Sequence, residues 1–299
     1  MITPFRLFHA WVARVEQLSP TFRRVTLAGE ELAGFADNGY DQRIKVILPV
    51  PGRGLADLPT TPDWYAAWRA LPAERRSPIR TYTVRAVRRA PLEGALSEVD
   101  IDFALHGEVG PASSWALNAE VGDEIALLGP DAAYGGEHGG VEFRPPATAT
   151  NLLFAGDETA VPAIASILER LPATATGRVL LEVPHAEDAL ALTAPAGMTL
   201  RWLARDGGEP GCRLTPAVAG VFGDTASASV PAGAAPEWPA DDDLWEVPQA
   251  AASGSYAWLA GESGVIKGLR RHLVGELSLD RTSVAFMGYW RLGRSEGSA

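Results

Sequence analysis

The sequence predicts a β plus α/β protein: an antiparallel β-barrel over residues 1–146, followed by an α/β domain with a parallel sheet over residues 147–299. The first half carries short strand patterns separated by turns, which is typical of a small barrel. The second half alternates strand and helix patterns, which indicates a parallel sheet covered on both faces. Pro145-Pro146 separates the two patterns and is the expected linker.

Length, charge and cysteine content limit the classes of function. The chain has 299 residues, enough for two hydrophobic cores. Its net charge of −11 argues against a nucleic-acid binder, although a local basic pocket on an acidic protein can still bind an anionic small molecule. Cys212 is the only cysteine, so we expect neither an internal disulfide nor a metal held by thiolates.

The N-terminus and the apolar runs predict where the protein acts. Residues 1–6 lack the pattern of a signal peptide. No apolar run approaches the roughly 20 residues that span a bilayer. We therefore expect a cytoplasmic protein without membrane insertion.

The first half is predicted to be mostly strand. The strands are expected over residues 8–18, 22–27, 44–48, 79–87, 99–105 and 124–128. Between the third and fourth strands, the proline-rich segment 52–78 predicts a long loop with one helical turn around Trp64 and Trp68.

The stretch Arg80-Thr81-Tyr82-Thr83-Val84-Arg85 is the most informative of these strands. Alternation puts Arg80 and Tyr82 on one face and Thr81, Thr83 and Arg85 on the other. An arginine offers a planar fork for a phosphate, and a tyrosine ring can lie against a heterocycle. The stretch suits a flat, phosphate-bearing cofactor, but taken alone it is more simply an edge strand with surface arginines.

A second feature of the first half is the loop from His106 to the segment Gly110-Pro111-Ala112-Ser113-Ser114. Pro111 suits the first turn of a helix, and the N-terminus of that helix can bind phosphate. Together with Arg80, this favours a split pyrophosphate site over a capped connector. His106 is interpreted as a histidine at a strand end that bonds to backbone, rather than as a catalytic group.

The second half is predicted to contain strands over residues 151–155, 178–183, 198–203, 256–260 and 283–287, and helices over residues 160–171, 214–222 and 262–277. Ligands bind at the carboxyl ends of such strands. Two of these ends, Gly156 to Ala160 and Gly261-Glu262, lack the G-x-G-x-x-G fingerprint. Their small residues would admit a flat ring, while Asp157 and Glu158 equally suit a helix N-terminus.

Two further segments lie near the end of the chain. Residues 224–254 are rich in Pro, Ala, Gly, Ser and Asp, which predicts a flexible insert whose Trp238 and Trp245 could dock on the surface. Tyr289 and Trp290 follow the last strand, where they either cover a flat ligand or plug the core.

Taken in order, five motifs resemble those of the siderophore-interacting, or ferric-siderophore reductase, family of ferredoxin-reductase-like flavoproteins. The resemblance covers nearly the whole chain, and its motifs are residues 80–85, 102–107 with 110–113, 156–160, 258–262 and 288–293. It implies an FAD-binding barrel followed by an NAD(P)H-binding domain. Electrons would pass from NADH or NADPH through FAD to siderophore-bound Fe(III), and Fe(II) would leave because the chelator binds it less tightly.

The resemblance also implies roles for particular residues, with no catalytic residue beyond the flavin and no bound metal. The implied FAD-binding residues are Arg80, Tyr82, Thr83, His106, Ala112, Ser113, Trp115, Asp157, Thr159 and Ala160. The implied nicotinamide-side residues are Glu158, Gly261, Glu262, Tyr289 and Trp290. Tyr82 is expected to face the isoalloxazine and Arg80 the pyrophosphate, whereas Thr81 and Arg85 should matter less to FAD.

A ferric siderophore is the expected substrate, and many such chelates are anionic. The candidate siderophore-binding residues are Arg43, Lys45, Lys267 and Arg270. Lys267, Arg270 and Arg271 are spaced to share one helix face, although a solvated face is the simpler interpretation for Arg271.

The electron donor and the oligomeric state can also be predicted. The turn Glu182 to Asp188 is acidic and offers no arginine for a 2′-phosphate, which favours NADH over NADPH, while a contact from Arg201 or Arg205 would reverse that preference. Ferredoxin is an alternative donor, and a monomer is expected. Two other functions stay open: a general NAD(P)H:flavin reductase or oxygenase-partner reductase, and a non-enzymatic siderophore-binding protein.

Overall fold

The computed structural model describes residues 2–61, 63–90, 92, 94–106, 110–223, 244–248 and 254–293. The chain divides into two compact units, the first comprising residues up to Val141 and the second beginning at Glu142. The predicted linker Pro145-Pro146 therefore belongs to the second unit.

The first unit is built on one seven-stranded antiparallel sheet with the order β4-β3-β7-β1-β2-β6-β5. Its strands are β1 (Phe5–Gln17), β2 (Phe22–Gly29), β3 (Arg43–Ile47), β4 (Ile79–Thr83), β5 (Ala86–Arg88), β6 (Ser97–Ala104) and β7 (Glu124–Pro130). Its helices are α1 (Trp64–Ala70) and α2 (Pro111–Asn118), with 3₁₀ turns over Glu30–Gly34 and Ala73–Arg75.

The sheet curls because its two edge strands belong to one extended stretch of chain. The N–H of Val84 donates to the carbonyl of Gln42, beside β3, and the N–H of Arg85 donates to the carbonyl of Asp100 in β6, both at 2.9 Å. The stretch 79–88 thus changes partner between these two residues, and it brings the edges of the sheet together.

Two apolar clusters hold this unit together. The larger lies on the inner face and includes the buried residues Phe8, Leu27, Phe103 and Leu127. The smaller lies on the outer face, where Trp64 and Trp68 of α1 pack against Ile47, Leu55 and Leu58. The predicted helical turn around Trp64 is confirmed, and its packing explains why a proline-rich loop carries two tryptophans.

The second unit contains a six-stranded sheet with the order β10-β9-β8-β12-β13-β11. Its strands are β8 (Asn151–Gly156), β9 (Thr176–Val183), β10 (Gly197–Ala204), β11 (Trp245–Glu246), β12 (Ser255–Glu262) and β13 (Val284–Trp290). Its helices are α3 (Val161–Arg170), α4 (Leu214–Gly223) and α5 (Ser263–Arg270), with 3₁₀ turns over Ala186–Asp188 and Arg281–Ser283 and a π-helical turn over Arg271–Glu276.

The direction of the strands corrects the prediction of a parallel sheet. Strands β8, β9, β10, β12 and β13 pair in parallel, but β11 runs antiparallel to β13, so the sheet is mixed. From β8 the chain adds β9 and β10 on one side and β12 and β13 on the other. The strand order therefore reverses between β8 and β12, and such a switch point is where open α/β sheets bind ligands.

Strand β11 was not predicted, because it lies inside the segment expected to be a flexible insert. Leu244 is only 2% exposed and joins the core of the unit. Trp245 stacks on Tyr289 with ring centroids 5.8 Å apart and planes 14° apart. The remainder of the insert, residues 224–243 and 249–253 with Trp238, lies outside the described residues.

Candidate functional site

In the first unit, β4 presents its predicted cofactor residues on two different faces. Tyr82 lies opposite Ile44 of β3, and Arg80 lies opposite Val46. The Tyr82 ring packs inward, with its centroid 4.5 Å from that of Phe103. Thr83 has the opposite orientation in the alternation of the strand and is buried. Arg80 and Tyr82 therefore share a face that Thr83 does not.

Tyr82, Phe103 and Trp115 form an aromatic row. The ring centroid of Phe103 is 5.6 Å from that of Trp115 in α2. Tyr82 and Trp115 are half-buried, whereas Phe103 is fully buried. The sequence assigned Tyr82 and Trp115 to a flavin but gave Phe103 no role, although it sits in one of the five motifs. Phe103 contacts both rings and so supports each of them from the core.

The other side of this strand pair carries charged contacts. The ammonium of Lys45 donates to Thr81 Oγ1 at 2.6 Å. The guanidinium of Arg85 lies 3.6 Å from the Asp102 carboxylate, which also accepts from Arg24 at 2.6 and 2.8 Å. Thr81 and Arg85 are thus engaged by neighbouring strands, away from the face that holds Tyr82.

The predicted phosphate loop leads into α2. Gly110 has a φ of +92° and precedes Pro111, the first helical residue. No atom of the described residues lies within 4 Å of where a side chain on Gly110 would begin, and none of their side chains caps the helix. The hydroxyl of Ser113 accepts a hydrogen bond from the N–H of His106 at 3.0 Å. The open backbone suits a phosphate, and the half-buried rings suit a flat heterocycle, so these residues fit FAD.

In the second unit, several of the predicted site residues donate hydrogen bonds to the carboxylate of Asp157. This side chain is only 2% exposed. Its Oδ1 accepts from Thr159, at 2.9 Å from the backbone N–H and at 2.5 Å from the hydroxyl. Its Oδ2 accepts from the N–H of Glu262 at 2.7 Å and from the indole N–H of Trp290 at 2.8 Å. One side chain thus joins the carboxyl ends of β8, β12 and β13.

The chain around this carboxylate is shaped to admit it. A side chain on Gly261 would begin 2.6 Å from Asp157 Oδ2, and the φ of Gly261 is +152°. Glycine is required here because the carboxylate occupies the space of a β-carbon. Gly156 is similarly constrained, because its β-carbon would lie 2.5 Å from that of the fully buried Ala160.

The electrostatics of Asp157 are set by burial and by a neighbour. Burial, together with the negative charge of Glu158, raises the pKa of Asp157 to about 7. The hydrogen bonds from Thr159 and Trp290 act in the opposite direction, because they favour the ionised carboxylate. Asp157 is therefore a carboxyl group that titrates near neutral pH.

Glu158 belongs to an interior network instead of the surface. It is fully buried and accepts both terminal nitrogens of Arg205 at 2.7 and 2.9 Å. Arg205 also lies 3.4 Å from Glu182. Burial acts to lower the pKa of Arg205, but the two carboxylates raise it overall.

Glu182 has a role that the sequence did not suggest. Its carboxylate accepts the backbone N–H groups of Gly211, Arg213 and Leu214 at 2.7, 2.8 and 2.9 Å, at the start of α4. Asp188, in the same predicted acidic turn, is also fully buried and accepts from the N–H of His185. Glu182 and Asp188 thus face inward, whereas Glu187 of the same turn is exposed, and the Arg205 guanidinium is bound by two carboxylates.

Glu262 and the aromatic residues after β13 complete this end of the sheet. Glu262 Oε2 caps α5 by accepting the N–H of Val265 at 2.8 Å. Tyr289 contacts the buried Trp258 edge to face, with centroids 6.1 Å apart. The predicted nicotinamide-side residues Gly261, Glu262 and Trp290 thus lie together around Asp157, whereas Glu158 faces the interior network.

The candidate siderophore residues of α5 differ in their exposure. Arg270 is only 5% exposed, and its guanidinium donates to both carboxylate oxygens of Glu246 in β11 at 2.9 and 3.0 Å. Lys267 is half-buried and Arg271 is exposed. The shared helix face expected from their spacing is therefore split, because Arg270 turns inward to a partner from the insert.

The described residues contain neither a membrane-spanning helix nor a cluster of metal-ligating side chains. None of their helices is long and apolar enough to cross a membrane. Among the same residues, no three His, Cys, Asp or Glu side chains are grouped so that they could hold a metal ion.

Comparison with known proteins agrees with this two-part organisation. The profile of the siderophore-interacting FAD-binding domain matches residues 11–134, and that of the siderophore-interacting protein family matches residues 149–293. Ferric vibriobactin reductase ViuB from Vibrio cholerae is 34% identical over 95% of this chain and 89% of its own length. The NADPH-dependent ferric-chelate reductase of Escherichia coli is 29% identical over 93% of this chain and 91% of its own.

A solved structure extends the similarity to the fold. The siderophore-interacting protein SipS from Aeromonas hydrophila superposes with a TM-score of 0.66 and 33% identity, covering 98% of this chain and 94% of SipS. The five motifs lie within or beside the two matched regions. The chain belongs to the siderophore-interacting protein family, with an FAD-binding domain in its first half.

Proposed function

We propose that this protein is a ferric-siderophore reductase that uses FAD and a reduced nicotinamide coenzyme. The observation that carries the proposal is the match of both halves to the family, with a relative at 34% identity named a ferric vibriobactin reductase. The substrate would be a ferric siderophore, reduced in the cytoplasm so that the chelator releases Fe(II). The protein would act as a monomer.

The first unit would hold FAD. Arg80 would bind the pyrophosphate together with the N-terminal turn of α2 at Ala112 and Ser113, because a guanidinium fork and the N-terminus of a helix both suit phosphate. The half-buried rings of Tyr82 and Trp115 would lie against the isoalloxazine, supported from behind by Phe103. When bound, FAD accepts two electrons as a hydride and passes electrons on singly.

The second unit would hold the nicotinamide donor at its switch point. Gly261 leaves the backbone open at the end of β12, and Trp290 presents an indole whose N–H is already engaged by Asp157. Glu262 is committed to capping α5. These residues would bind and orient the ring, and Tyr289 would support them through its contacts with Trp245 and Trp258.

The donor itself is best tested with both coenzymes. The turn from Glu182 to Asp188 offers no arginine for a 2′-phosphate, which favours NADH, whereas one relative is named an NADPH-dependent reductase. Arg201 is exposed on β10 and is the remaining basic candidate for a 2′-phosphate among those considered from the sequence. Ferredoxin is the alternative donor if neither coenzyme reduces the bound flavin.

The chelate would be bound by cations. Lys267 is the best candidate, because it is a half-buried cation on α5, which begins directly after the motif residues 258–262. Arg43 and Lys45 on β3 are the candidate cations of the first unit. Arg270 is not part of this proposal, since its charge is neutralised by Glu246 in the interior.

The decisive experiment is anaerobic turnover with a panel of ferric chelates. Protein loaded with FAD is mixed with NADH or NADPH and with catecholate or hydroxamate ferric siderophores, and Fe(II) is followed with a ferrous chelator. We expect Fe(II) to form only when FAD, a donor and a ferric siderophore are all present. Reduction of added free flavin alone, or of oxygen alone in a separate aerobic control, would instead indicate a general reductase, and failure to take up FAD would indicate a binding protein.

A pair of variants tests the cation site. Lys267→Ala should weaken binding of an anionic ferric siderophore about tenfold while FAD stays bound, because one short-range ionic contact is lost. Arg271→Ala is the matched control, since it removes a positive charge from the same segment at an exposed position. Equal affinities in the two variants would remove Lys267 from the site.

A further inference from the structure

The buried carboxylate of Asp157 joins three strands at one point, which is more than a turn residue needs. We propose that Asp157 is the positioning residue of the nicotinamide side, holding Trp290 and the Gly261-Glu262 turn in a single arrangement. This inference rests on the proposed function, because it assigns that end of the sheet to the donor.

The hydrogen bonds of Asp157 Oδ2 show which groups it positions. Its two donors are the indole N–H of Trp290 and the backbone N–H of Glu262, at 2.8 and 2.7 Å. Both groups only donate, so a proton on Oδ2 would occupy one of its lone pairs and weaken the bonds from both donors. The ring orientation of Trp290 and the path of the chain after β12 are therefore set by one oxygen atom.

Gly261 shows that the chain is built around this carboxylate. A β-carbon at Gly261 would lie 2.6 Å from Oδ2 and 2.8 Å from the carboxyl carbon. The carboxylate thus sits directly against the bare backbone at the end of β12, which pairs with β8. These two strands flank the switch point of the sheet.

A second aspartate in the same unit shows that the local turn does not require such a junction. Asp280 Oδ1 accepts the N–H and the hydroxyl of Thr282 at 2.9 and 2.8 Å, as Asp157 does with Thr159. Asp280 is exposed, however, and its carboxylate accepts these hydrogen bonds from within its own turn. An exposed aspartate is therefore enough to accept the hydrogen bonds of such a turn. The hydrogen bonds that Asp157 accepts from Glu262 and Trp290 go beyond what the turn requires.

The charged groups near Asp157 make the arrangement sensitive to pH. Glu158 adjoins it, Arg205 and Glu182 lie beyond Glu158, and the carboxylate of Glu262 caps α5. With a pKa of about 7, Asp157 is partly protonated near neutral pH. A proton on Oδ2 competes with the two donors there, and a proton on Oδ1 requires the Thr159 hydroxyl to reverse from donor to acceptor. The arrangement is therefore complete only in the ionised form.

The test measures flavin reduction in the full-length, FAD-loaded protein. Rates are recorded anaerobically against donor concentration for wild type, Asp157→Asn, Trp290→Phe and Asp280→Asn, between about pH 5.5 and pH 8.5. We expect Asp157→Asn to weaken donor binding or slow the limiting rate about tenfold, since an amide cannot accept all four hydrogen bonds. Its rates should also lose the wild-type rise through pH 7, while FAD affinity stays unchanged.

Two variants keep the test decisive. Trp290→Phe retains a ring but lacks the indole N–H, so it should show a smaller loss in the same direction, and the double variant should lose less than the sum. Asp280→Asn should match wild type. The proposal is overturned if Asp157→Asn keeps wild-type rates and pH profile, or if its defect is only a loss of FAD. If Asp157→Asn does not fold, unchanged donor kinetics in Trp290→Phe overturn it.

Photoreduction of the flavin separates this inference from the proposed function. Light-driven reduction needs no nicotinamide, so the photoreduced wild type and Asp157→Asn should reduce a ferric siderophore at equal rates. If neither reduces the chelate, the proposed function fails while the donor kinetics still test Asp157. If only Asp157→Asn fails after photoreduction, its role is not on the donor side and the inference is wrong.

Discussion

The turns at Asp157 and Asp280 have the same local chemistry and opposite electrostatics. In each, Oδ1 accepts the N–H and the hydroxyl of a threonine two residues later. In the exposed turn, the hydrogen bonds from Thr282 lower the pKa of Asp280. In the buried turn, burial and Glu158 raise the pKa of Asp157 to about 7. The same hydrogen bonds are thus outweighed when the charge is removed from water.

The two aspartates also differ in which parts of the chain they connect. Asp280 satisfies the donors of its own turn, while Asp157 adds donors from β12 and from Trp290. A residue in a local turn can therefore be replaced at small cost, whereas a residue at a junction leaves groups from several elements without a partner. Substitutions in the two turns measure how much the junction contributes.

Removal of the carboxylate should show the largest difference. We expect Asp157→Ala to lower the free energy of unfolding by about 3 kcal/mol, because two backbone N–H groups, an indole and a hydroxyl lose their buried acceptor. Asp280→Ala should have a clearly smaller effect, since water can replace its carboxylate. Denaturant titration followed by tryptophan fluorescence measures both, and equal losses would mean that the junction adds nothing.

Filling the space beside the carboxylate should have the next largest effect. Gly261→Ala places a methyl group 2.6 Å from Asp157 Oδ2, so we expect a loss of about 2 kcal/mol. Gly268→Ala is the control, since its β-carbon meets no described atom within 4 Å in α5. Alanine there should stabilise by up to about 1 kcal/mol through helix propensity. The same titration contradicts the prediction if both variants behave alike.

The pH dependence of stability should follow the sign of each shift. The raised pKa of Asp157 means that the folded protein binds a proton that the unfolded chain, with a pKa near 3.8, releases. Its contribution to stability should fall as pH rises, by about 1 kcal/mol between pH 6 and pH 7, and level off above that range. Asp280 has a lowered pKa, so its contribution is lost only in acid.

Comparison of wild type with Asp157→Asn isolates this pH effect. The difference in unfolding free energy between the two proteins should change across the range from about pH 4 to pH 7. The corresponding difference for Asp280→Asn should be constant there. A flat difference for Asp157→Asn would show that the carboxyl group is ionised throughout.

Removal of a single hydroxyl should give the smallest effect. Thr159→Val keeps the backbone N–H bond to Asp157 and removes only the hydroxyl bond, so we expect a loss of about 1 kcal/mol. Thr282→Val should lose less, because the Asp280 turn is exposed to water. Thermal unfolding midpoints of the two variants provide the measurement, and a larger shift for Thr282→Val would reverse the comparison.

Much of the secondary structure could be predicted from the sequence, because it depends on patterns within short runs of residues. Alternation located the strands of the first unit, and Pro111 marked the start of α2. The predicted helix 262–277 was placed well at its start, but its last turn is π-helical. Strand β11 was missed because a two-residue strand in a segment of low hydrophobicity has no periodicity to detect.

The candidate site was located by motif, but its contacts were not. Asp157 and Trp290 were both selected, yet nothing in the sequence indicated that residues 133 positions apart share a hydrogen bond. Arg270 was taken for a ligand-binding cation because its spacing resembles a basic helix face, and its partner Glu246 lies in the insert. Arg205 was likewise taken for a coenzyme contact, although it joins Glu158 and Glu182.

The sequence by itself determined the family, the order of the elements and the positions of the five motifs, because each is encoded in a short run of residues. Only the tertiary structure decided which charged residues face inward. A buried charge is stable only with partners, and the partners of Arg205, Arg270 and Asp157 come from distant parts of the chain. The local pattern of a solvated arginine and that of a paired one are the same, so the fold alone distinguishes them.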